Sequence, residues 1–146
     1  MSNKSSILSD YYKYTSDYKK EYGENTVVFM QVGSFYEIYG IKENENDTVF
    51  TGSNINHVSQ ICDFKIAHKQ ASYRNKGTVM VGFPVYQLEK FVKKMQEAFY
   101  TIVVYKQDEN ISKTTRSLFG IFSPGTFFND DSNQLSNSVS CVWIDS

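Results

Sequence analysis

A stripe of tyrosines with helical spacing lies near the start of the chain. It follows Ser9, a residue type favoured at helix N-termini, and its members recur every three or four residues: Tyr11, Tyr14, Tyr18 and Tyr22. Side chains at this spacing share one face of a helix. The pattern predicts an amphipathic helix that begins after Ser9 and ends at Gly23.

Two apolar, extended segments follow. Residues 26–32 (TVVFMQV) are β-branched and apolar enough for a buried strand, and a second extended run (FYEIYG) begins at Phe35. Gly33 and Ser34 separate the two runs. The sequence therefore predicts a strand, a bend and a second strand, followed by a polar surface excursion over residues 42–56.

Residues 78–105 predict a strand, a helix and another strand. The run TVMVGF is closed by Pro84, which cannot donate a hydrogen bond to a β-ladder. The clearest helical stripe in the chain comes next: Leu88, Phe91, Val92, Met95 and Phe99. The run TIVVY then begins at Thr101. Such a crossover favours parallel pairing. The predicted fold class is α/β, a single domain with a mixed β-sheet flanked by helices.

The last part of the chain predicts a strand, a turn and a linker. The strand covers residues 117–122, and the turn has the sequence SPGT. Residues 129–138 have the polar composition of an exposed linker, and the final SVSCVWIDS has a strand pattern without a partner strand of its own. We expect one domain over residues 1–128, a linker over residues 129–138 and the start of a truncated second domain over residues 139–146.

Length and composition set further bounds. The 146 residues are the size of one domain, and no apolar run approaches the roughly 20 residues that span a bilayer. The first residues lack a hydrophobic segment of secretory length. Cys62 and Cys141 are too few for a disulfide framework, and we expect both to be reduced, in an intracellular protein that does not enter a membrane.

The net charge of -1 conceals an asymmetry. Residues 61–120 carry ten basic and five acidic side chains, whereas both flanking segments are acidic. Any surface that faces phosphates should therefore be built from the middle third of the chain. The alternative is a solvated, lysine-rich face without a specific partner.

No catalytic arrangement stands out in the sequence. The spacing of His57, Cys62 and His68 does not match the short paired spacings of zinc ligands. The phosphate-cradling pattern G-x-x-x-x-G-K-[ST] is absent, and the acidic residues do not cluster as in a nuclease metal site. We expect a noncatalytic chain that binds neither a metal nor a cofactor.

The segment that begins at Phe35 is the most informative. In an extended conformation, Tyr36 and Ile38 share one face, and Phe35, Glu37 and Tyr39 share the other. A glutamate is rarely placed in a dry core, so Phe35 should lie beside a carboxylate on the more accessible face. Two interpretations remain open at this point: an exposed Phe35 that requires a partner, or a bend that rotates Phe35 into the core.

Three ordered segments carry a resemblance. VFMQVGSFYEIYG resembles the mismatch-recognition segment of MutS proteins, which has an apolar strand, a glycine and Phe-x-Glu. MVGFPVYQLEKFVKKMQEAFYTIVVYKQ resembles the G-[IVF]-P segment, helix and strand of that family, and Arg116 with SPGT resembles its Arg-then-T-P-G-T signature. The terminal SVSCVWIDS is similar to the first strand of the connector domain of the family.

The resemblance implies a MutS domain I-like fold that recognises mispaired or looped double-stranded DNA. Phe35 would then be an aromatic wedge at the minor groove, and Glu37 would contact the displaced base. The full-length parent would be a dimeric, DNA-dependent ATPase that uses ATP and Mg²⁺. The positive middle third adds candidates for DNA backbone contacts: Lys65, Lys69, Arg74 and Lys76.

Departures from the family pattern indicate a divergent branch, such as those of large DNA viruses or organelles. Ser34 stands where Asp is frequent, Val85 and Tyr86 replace a frequent Tyr-His, and residues 41–61 form a longer stretch than usual. Two other classes of function remain alternatives: a protein-interaction module with an exposed aromatic surface, and a metal-dependent nuclease.

Overall fold

The computed structural model of the protein describes residues 3–109, 115–125, 127–129 and 134–136. Its elements follow in this order: α1 (Asn3–Tyr22), β1 (Thr26–Val32), β2 (Phe35–Lys42), α2 (Ile55–Cys62), β3 (Ala67–Tyr73), β4 (Lys76–Pro84), a 3₁₀ helix (Val85–Gln87), α3 (Leu88–Glu97), β5 (Thr101–Gln107), β6 (Arg116–Phe122), β7 (Phe127–Asn129) and β8 (Gln134–Ser136).

Six strands form the central sheet, in the order β3-β4-β2-β1-β5-β6. β1 pairs antiparallel with β2 and parallel with β5, so the sheet is mixed, as predicted. β4 and β5 point in the same direction, which agrees with the predicted crossover between them. They are not neighbours, however, because β2 and β1 lie between them, and the parallel partner of β5 is β1.

One face of the sheet is covered by α1, and the contact is largely aromatic. The ring of Tyr11 packs edge-on against Tyr39 in β2, with the ring centroids 5.1 Å apart. The hydroxyl of Tyr11 donates a 3.0 Å hydrogen bond to the carbonyl of Val28 in β1. Further along the helix, Tyr14 stacks on Tyr105 in β5 at 4.2 Å. The tyrosine stripe therefore fixes α1 across the three central strands.

The opposite face is covered by α2 and α3. Ile55 of α2 lies over Gly40 and Val79, at a point where a side chain on residue 40 would collide with it. Phe91 of α3 packs on Phe83 of β4, with ring centroids 4.7 Å apart. Both helices bury their apolar residues in a single core that the sheet divides into two layers.

Several elements differ from the sequence predictions. The first helix begins at Asn3, so Ser9 lies inside it. The segment predicted as a polar excursion ends in α2, which begins at Ile55. β8 falls within the stretch predicted as a linker and pairs with β7. The predicted terminal strand lies outside the described residues, and the predicted domain boundaries remain predictions. Among the helices that the structure describes, none is both long and apolar enough to cross a membrane.

Candidate functional site

The turn between β1 and β2 is held from both sides. Gly33 adopts a φ of 63°, a left-handed conformation that glycine adopts without strain. Its backbone N–H donates a hydrogen bond to the side chain of Gln107 at the end of β5. The carbonyl of Ser34 accepts a 2.9 Å hydrogen bond from the backbone N–H of Val85. The bend is thus connected to β5 on one side and to the segment after β4 on the other.

Phe35 follows this turn and is exposed. Its side chain is 48% accessible to solvent, although it is the first residue of a strand in the interior of the sheet. It pairs with Val32 in β1 and with Pro84 in β4. The backbone of Phe35 is therefore fixed by two neighbouring strands while its ring faces solvent. Of the two interpretations left open by the sequence, the structure supports the exposed one.

The predicted alternation along β2 is confirmed, but the second face is less open than expected. Tyr36 and Ile38 are buried toward α2 and α3, and burial raises the pKa of Tyr36 to about 12. On the other face, Tyr39 is also buried because α1 covers it. The side chain of Glu37 is only 13% exposed. The most accessible part of this face is thus the end of the strand at Phe35, and Glu37 beside it is partly covered.

Glu37 has two partners. Its Oε1 atom accepts a hydrogen bond from the hydroxyl of Tyr39 and lies 3.9 Å from the ammonium of Lys69. Burial, followed by the hydrogen bond and the charge of Glu37, raises the pKa of Tyr39 well above its usual range. The hydroxyl therefore remains protonated and acts as the donor. Glu37 is held by its neighbours rather than free in solvent.

The structure distributes the four predicted phosphate contacts over two regions. Lys65 is exposed just before β3, whereas Lys69 lies against Glu37. Arg74 is in the two-residue turn between β3 and β4, and Lys76 follows it and pairs with Glu43 at 2.5 Å. This hairpin lies beside Lys42, at the far end of β2 from Phe35. Seven residues of extended chain correspond to about 23 Å. Arg74 and Lys76 are therefore not part of the Phe35 site.

Three residues near the Phe35 turn were not predicted as site residues. Tyr86 is 82% exposed and follows Val85, the residue bonded to the turn. Arg116 donates a 2.6 Å hydrogen bond from Nε to the carbonyl of Gln31. Lys106 and Tyr86 line a surface cavity of about 380 Å³ beside the turn. A second cluster of polar and aromatic groups therefore borders the site.

The sequence carried little signal for these three residues. Tyr86 and Arg116 stood out only against a family pattern, one as a departure from it and one as a match to it. Lys106 directly follows the predicted strand TIVVY, and its ammonium is 4.0 Å from the centroid of the Phe119 ring in β6. The proximity of Arg116 and Lys106 to the turn depends on the strand order, which the sequence did not predict.

Within the described ranges, no three His, Cys, Asp or Glu side chains are grouped closely enough to hold a metal ion. His57 instead makes a 3.0 Å hydrogen bond with the hydroxyl of Tyr100. Cys62 is buried, and burial raises the pKa of its thiol to about 11. His57 and Cys62 both belong to α2, and the thiol of Cys62 lies 3.7 Å from the sulfur of Met95 in α3, so the two residues contribute to packing within the domain.

The site thus combines an exposed aromatic ring on a fixed turn, Phe35, with a restrained carboxylate two residues further on, Glu37. The sequence model of the family MutS domain I matches residues 11–131. A protein of Acanthamoeba polyphaga mimivirus that is named as a homolog of the DNA mismatch repair protein MutS is 26% identical over 145 residues. The match covers 97% of this chain and 12% of the viral protein, so the chain spans about an eighth of that relative.

The chain belongs to the MutS domain I family, the noncatalytic domains through which MutS-like proteins bind DNA and recognise mismatches. Membership agrees with the resemblance noted in the sequence and with the mixed α/β fold.

Proposed function

We propose that the domain recognises mispaired or looped duplex DNA by inserting Phe35 at a distorted base step from the minor groove, with Glu37 contacting the displaced base. The observation that carries this proposal is the exposed ring of Phe35 on a turn that hydrogen bonds connect to two neighbouring segments. A rigid backbone matters because a wedge that could retract would not unstack a base step.

The energetics of duplex DNA supply the selectivity. An apolar wedge in the minor groove kinks the helix and unstacks a step, which costs a few kcal/mol. The cost is smaller where base pairing is already faulty. Phe35 would thus respond to how easily the step deforms rather than to a base sequence.

Glu37 supplies the second part of the discrimination. A carboxylate near the minor groove is repelled by the phosphates on every duplex, whereas a displaced base edge can form a hydrogen bond with it only at a mispair. The repulsion between Glu37 and the phosphates therefore acts on every duplex, whereas the hydrogen bond that offsets it forms only at a mispair. This combination favours mispaired over matched DNA without increasing the affinity for both.

Contacts to the DNA backbone would come from basic side chains other than those at the Phe35 turn. Lys65 is exposed, and Arg74 and Lys76 lie about 23 Å from Phe35 along the sheet. Since one base pair rises about 3.4 Å, that distance corresponds to roughly seven base pairs, so one bent duplex can reach both regions. Lys69 was predicted with them, but its ammonium lies against Glu37.

We further propose that the full-length protein is a dimeric, DNA-dependent ATPase that uses ATP and Mg²⁺. The support is the family membership and the length of the mimivirus relative, of which this chain covers 12%. By itself this chain should bind DNA weakly and in a salt-sensitive way, because a net charge of -1 supplies few phosphate contacts.

The test is a fluorescence anisotropy titration of the full-length protein with matched, mismatched and looped duplexes at two salt concentrations. We expect tighter binding to the mismatched and looped duplexes at both concentrations, and weaker binding to all three at high salt. Equal affinity for all three duplexes would refute the proposal. The exposed aromatic residues would then be better explained as a docking surface for another protein.

A further inference from the structure

The carboxylate of Glu37 is restrained on one oxygen only. Both contacts that the structure describes for it, the Tyr39 hydroxyl and the Lys69 ammonium, fall on Oε1. Among the described residues, Oε2 has no hydrogen bond or ion pair of its own. Since the side chain is 13% exposed, the carboxylate is anchored inside the domain by one oxygen and leaves the other for a ligand.

Lys69 is itself immobilised. It comes from the edge strand β3, and its side chain is only 18% exposed. Its ammonium lies 5.5 Å from the centroid of the Tyr39 ring and 3.9 Å from the sulfur of Met80. An exposed lysine that contacts phosphates would extend into solvent, whereas this one lies across the sheet over Tyr39. The same tyrosine therefore supports both charged groups, one through its ring and one through its hydroxyl.

A carboxylate that is mostly removed from water is stabilised by an opposite charge and by hydrogen-bond donors close to it. It also needs a fixed rotamer if it is to meet a base edge in one orientation. Lys69 supplies the opposite charge, and the Tyr39 hydroxyl supplies a directional hydrogen bond. Tyr39 is buried beneath α1, and the Lys69 ammonium lies against Glu37 and the Tyr39 ring, so both would act on the ligand through Glu37.

We propose that Lys69 and Tyr39 are positioning residues for Glu37: they hold Oε1 inside the domain and orient Oε2 toward the displaced base. This inference rests on the proposed function. It also assigns Lys69 a role different from that of a DNA backbone contact, and the two roles differ in a measurable way. Removing one phosphate contact lowers the slope of log affinity against log salt by about 0.9, whereas removing a positioning residue leaves that slope unchanged.

The experiment measures dissociation constants of the full-length protein for matched and mismatched duplexes over a range of salt concentrations. Lys69→Met keeps the length of the side chain and removes its charge. Lys65→Met also replaces a lysine by methionine. Lys65 is exposed, lies four residues before Lys69 and has no described contact with Glu37. We expect Lys69→Met to reduce the preference for the mismatch roughly fivefold or more with an unchanged salt slope. Lys65→Met, at a proposed phosphate contact, should weaken binding to both duplexes and lower the salt slope by about 0.9 without changing the preference. Lys69→Arg keeps the charge and should retain most of the wild-type preference.

A second variant guards against an effect on folding. Tyr39→Phe keeps the ring that packs on Tyr11 and removes only the hydroxyl bonded to Glu37. It should also reduce the preference while preserving the melting transition. In a Glu37→Ala background, neither Lys69→Met nor Tyr39→Phe should reduce the preference further, because the group they position is gone. A purely structural role would give the same additional loss in both backgrounds, and this result would overturn the inference.

The remaining outcomes separate the two proposals. A wild-type protein that binds matched and mismatched DNA equally would overturn the proposed function and this inference with it. A wild-type preference that is lost in Phe35→Ala but retained in Lys69→Met and Tyr39→Phe would overturn the inference alone. If Lys69→Met weakened binding to both duplexes equally and lowered the salt slope, Lys69 would be a phosphate contact. This result would also overturn the inference.

Discussion

Phe35 and Phe99 are both strongly exposed, and they lie at opposite ends of the central sheet. Phe35 pairs with Val32 at the end of β1, whereas Phe99 precedes Thr101, which pairs with Thr26 at the start of β1. Phe99 is 75% exposed. The chain therefore contains an exposed phenylalanine in the proposed DNA site and a matched one far from it.

Replacing Phe35 with alanine should remove the preference for mismatched DNA and leave much of the salt-dependent binding to matched DNA. Stacking of an aromatic ring on a base contributes about 1–3 kcal/mol, which corresponds to a loss of about fivefold to more than a hundredfold. Anisotropy titrations with matched and mismatched duplexes measure this loss of preference. Phe99→Ala, the matched control, should bind both duplexes like the wild type. Loss of cooperative melting in Phe35→Ala would show instead that the ring contributes to the core.

Replacing Glu37 with alanine should spare or strengthen binding to matched DNA and narrow its difference from mismatched DNA. The variant loses the repulsion from phosphates together with the hydrogen bond to the base. Glu37→Gln should retain more discrimination, because an amide still forms hydrogen bonds. Paired dissociation constants at one fixed salt concentration test this, with the exposed Glu97→Ala as control. Proportional weakening on both duplexes would indicate a structural role for Glu37.

Tyr86 should contribute to DNA affinity. Its exposed ring lies beside the turn that carries Phe35, since the preceding residue is bonded to Ser34. We expect Tyr86→Ala to weaken binding to mismatched DNA by roughly fivefold or more, because the variant has no second aromatic ring to stack or pack on the DNA. Thermal stability should not change, since the side chain packs little on the domain. An unaltered dissociation constant would exclude Tyr86 from the interface.

Two glycines in neighbouring strands should tolerate alanine differently. A Cβ on Gly40 would lie 2.7 Å from Cγ2 of Ile55 and 3.2 Å from Cγ2 of Val79, inside the core. A Cβ on Gly77 would meet only Lys42, at 3.4 Å or more. We expect Gly40→Ala to lower the free energy of unfolding by about 1–3 kcal/mol and Gly77→Ala to have little effect. Urea denaturation of both variants compares them directly. Similar midpoints would mean that α2 packs less tightly on β2 than the structure shows.

The domain should lose stability above about pH 10, the usual pKa of tyrosine. Burial raises the pKa of Tyr11 and of Tyr39 well above that value. The unfolded chain therefore loses these protons first, and stability falls as pH rises from about 10 toward the folded pKa. Tyr11→Phe should be less stable than the wild type at pH 7 by about 0.5–1.5 kcal/mol, because the hydrogen bond to Val28 is lost.

The same variant should lose less stability between pH 9 and pH 11, as measured by urea midpoints, because one titrating group has been removed. Tyr86→Phe removes a hydroxyl from an exposed ring and should follow the wild type at both pH values. If Tyr11→Phe and the wild type lost the same stability between pH 9 and pH 11, groups other than Tyr11 would cause the loss of stability at high pH.

The features that the sequence predicted are local ones. The position of Phe35 follows from a glycine bend and a period of two along one strand, and both can be read from a few neighbouring residues. The Lys69 contact with Glu37 could not be read in this way. It depends on β4 lying between β3 and β2 and on the register of both pairs, and a shift of one residue would turn the lysine to the other face.

Two elements were missed for different reasons. α2 contains Ile55, Val58 and Cys62 at helical spacing, but the polar residues among and before them obscured an eight-residue helix. β3 has the sequence AHKQASY, which is mostly polar because it is an edge strand. The turn that joins β3 to β4 places Arg74 and Asn75 at positive φ, a conformation that favours asparagine or glycine. Asparagine after arginine was a weak signal for this hairpin.

The parallel pairing of β1 with β5 sets an order of assembly during synthesis. Val28 in β1 pairs with Val103 in β5, so the two paired strands are synthesised far apart in time. The chain between them contains β2, β3, β4 and both helices that cover one face of the sheet. A nascent chain that ends before Thr101 has an apolar β1 with one unpaired edge, which is the kind of surface that promotes association between chains. The strand that precedes the Phe35 turn is thus protected only after residues 101–107 have emerged from the ribosome.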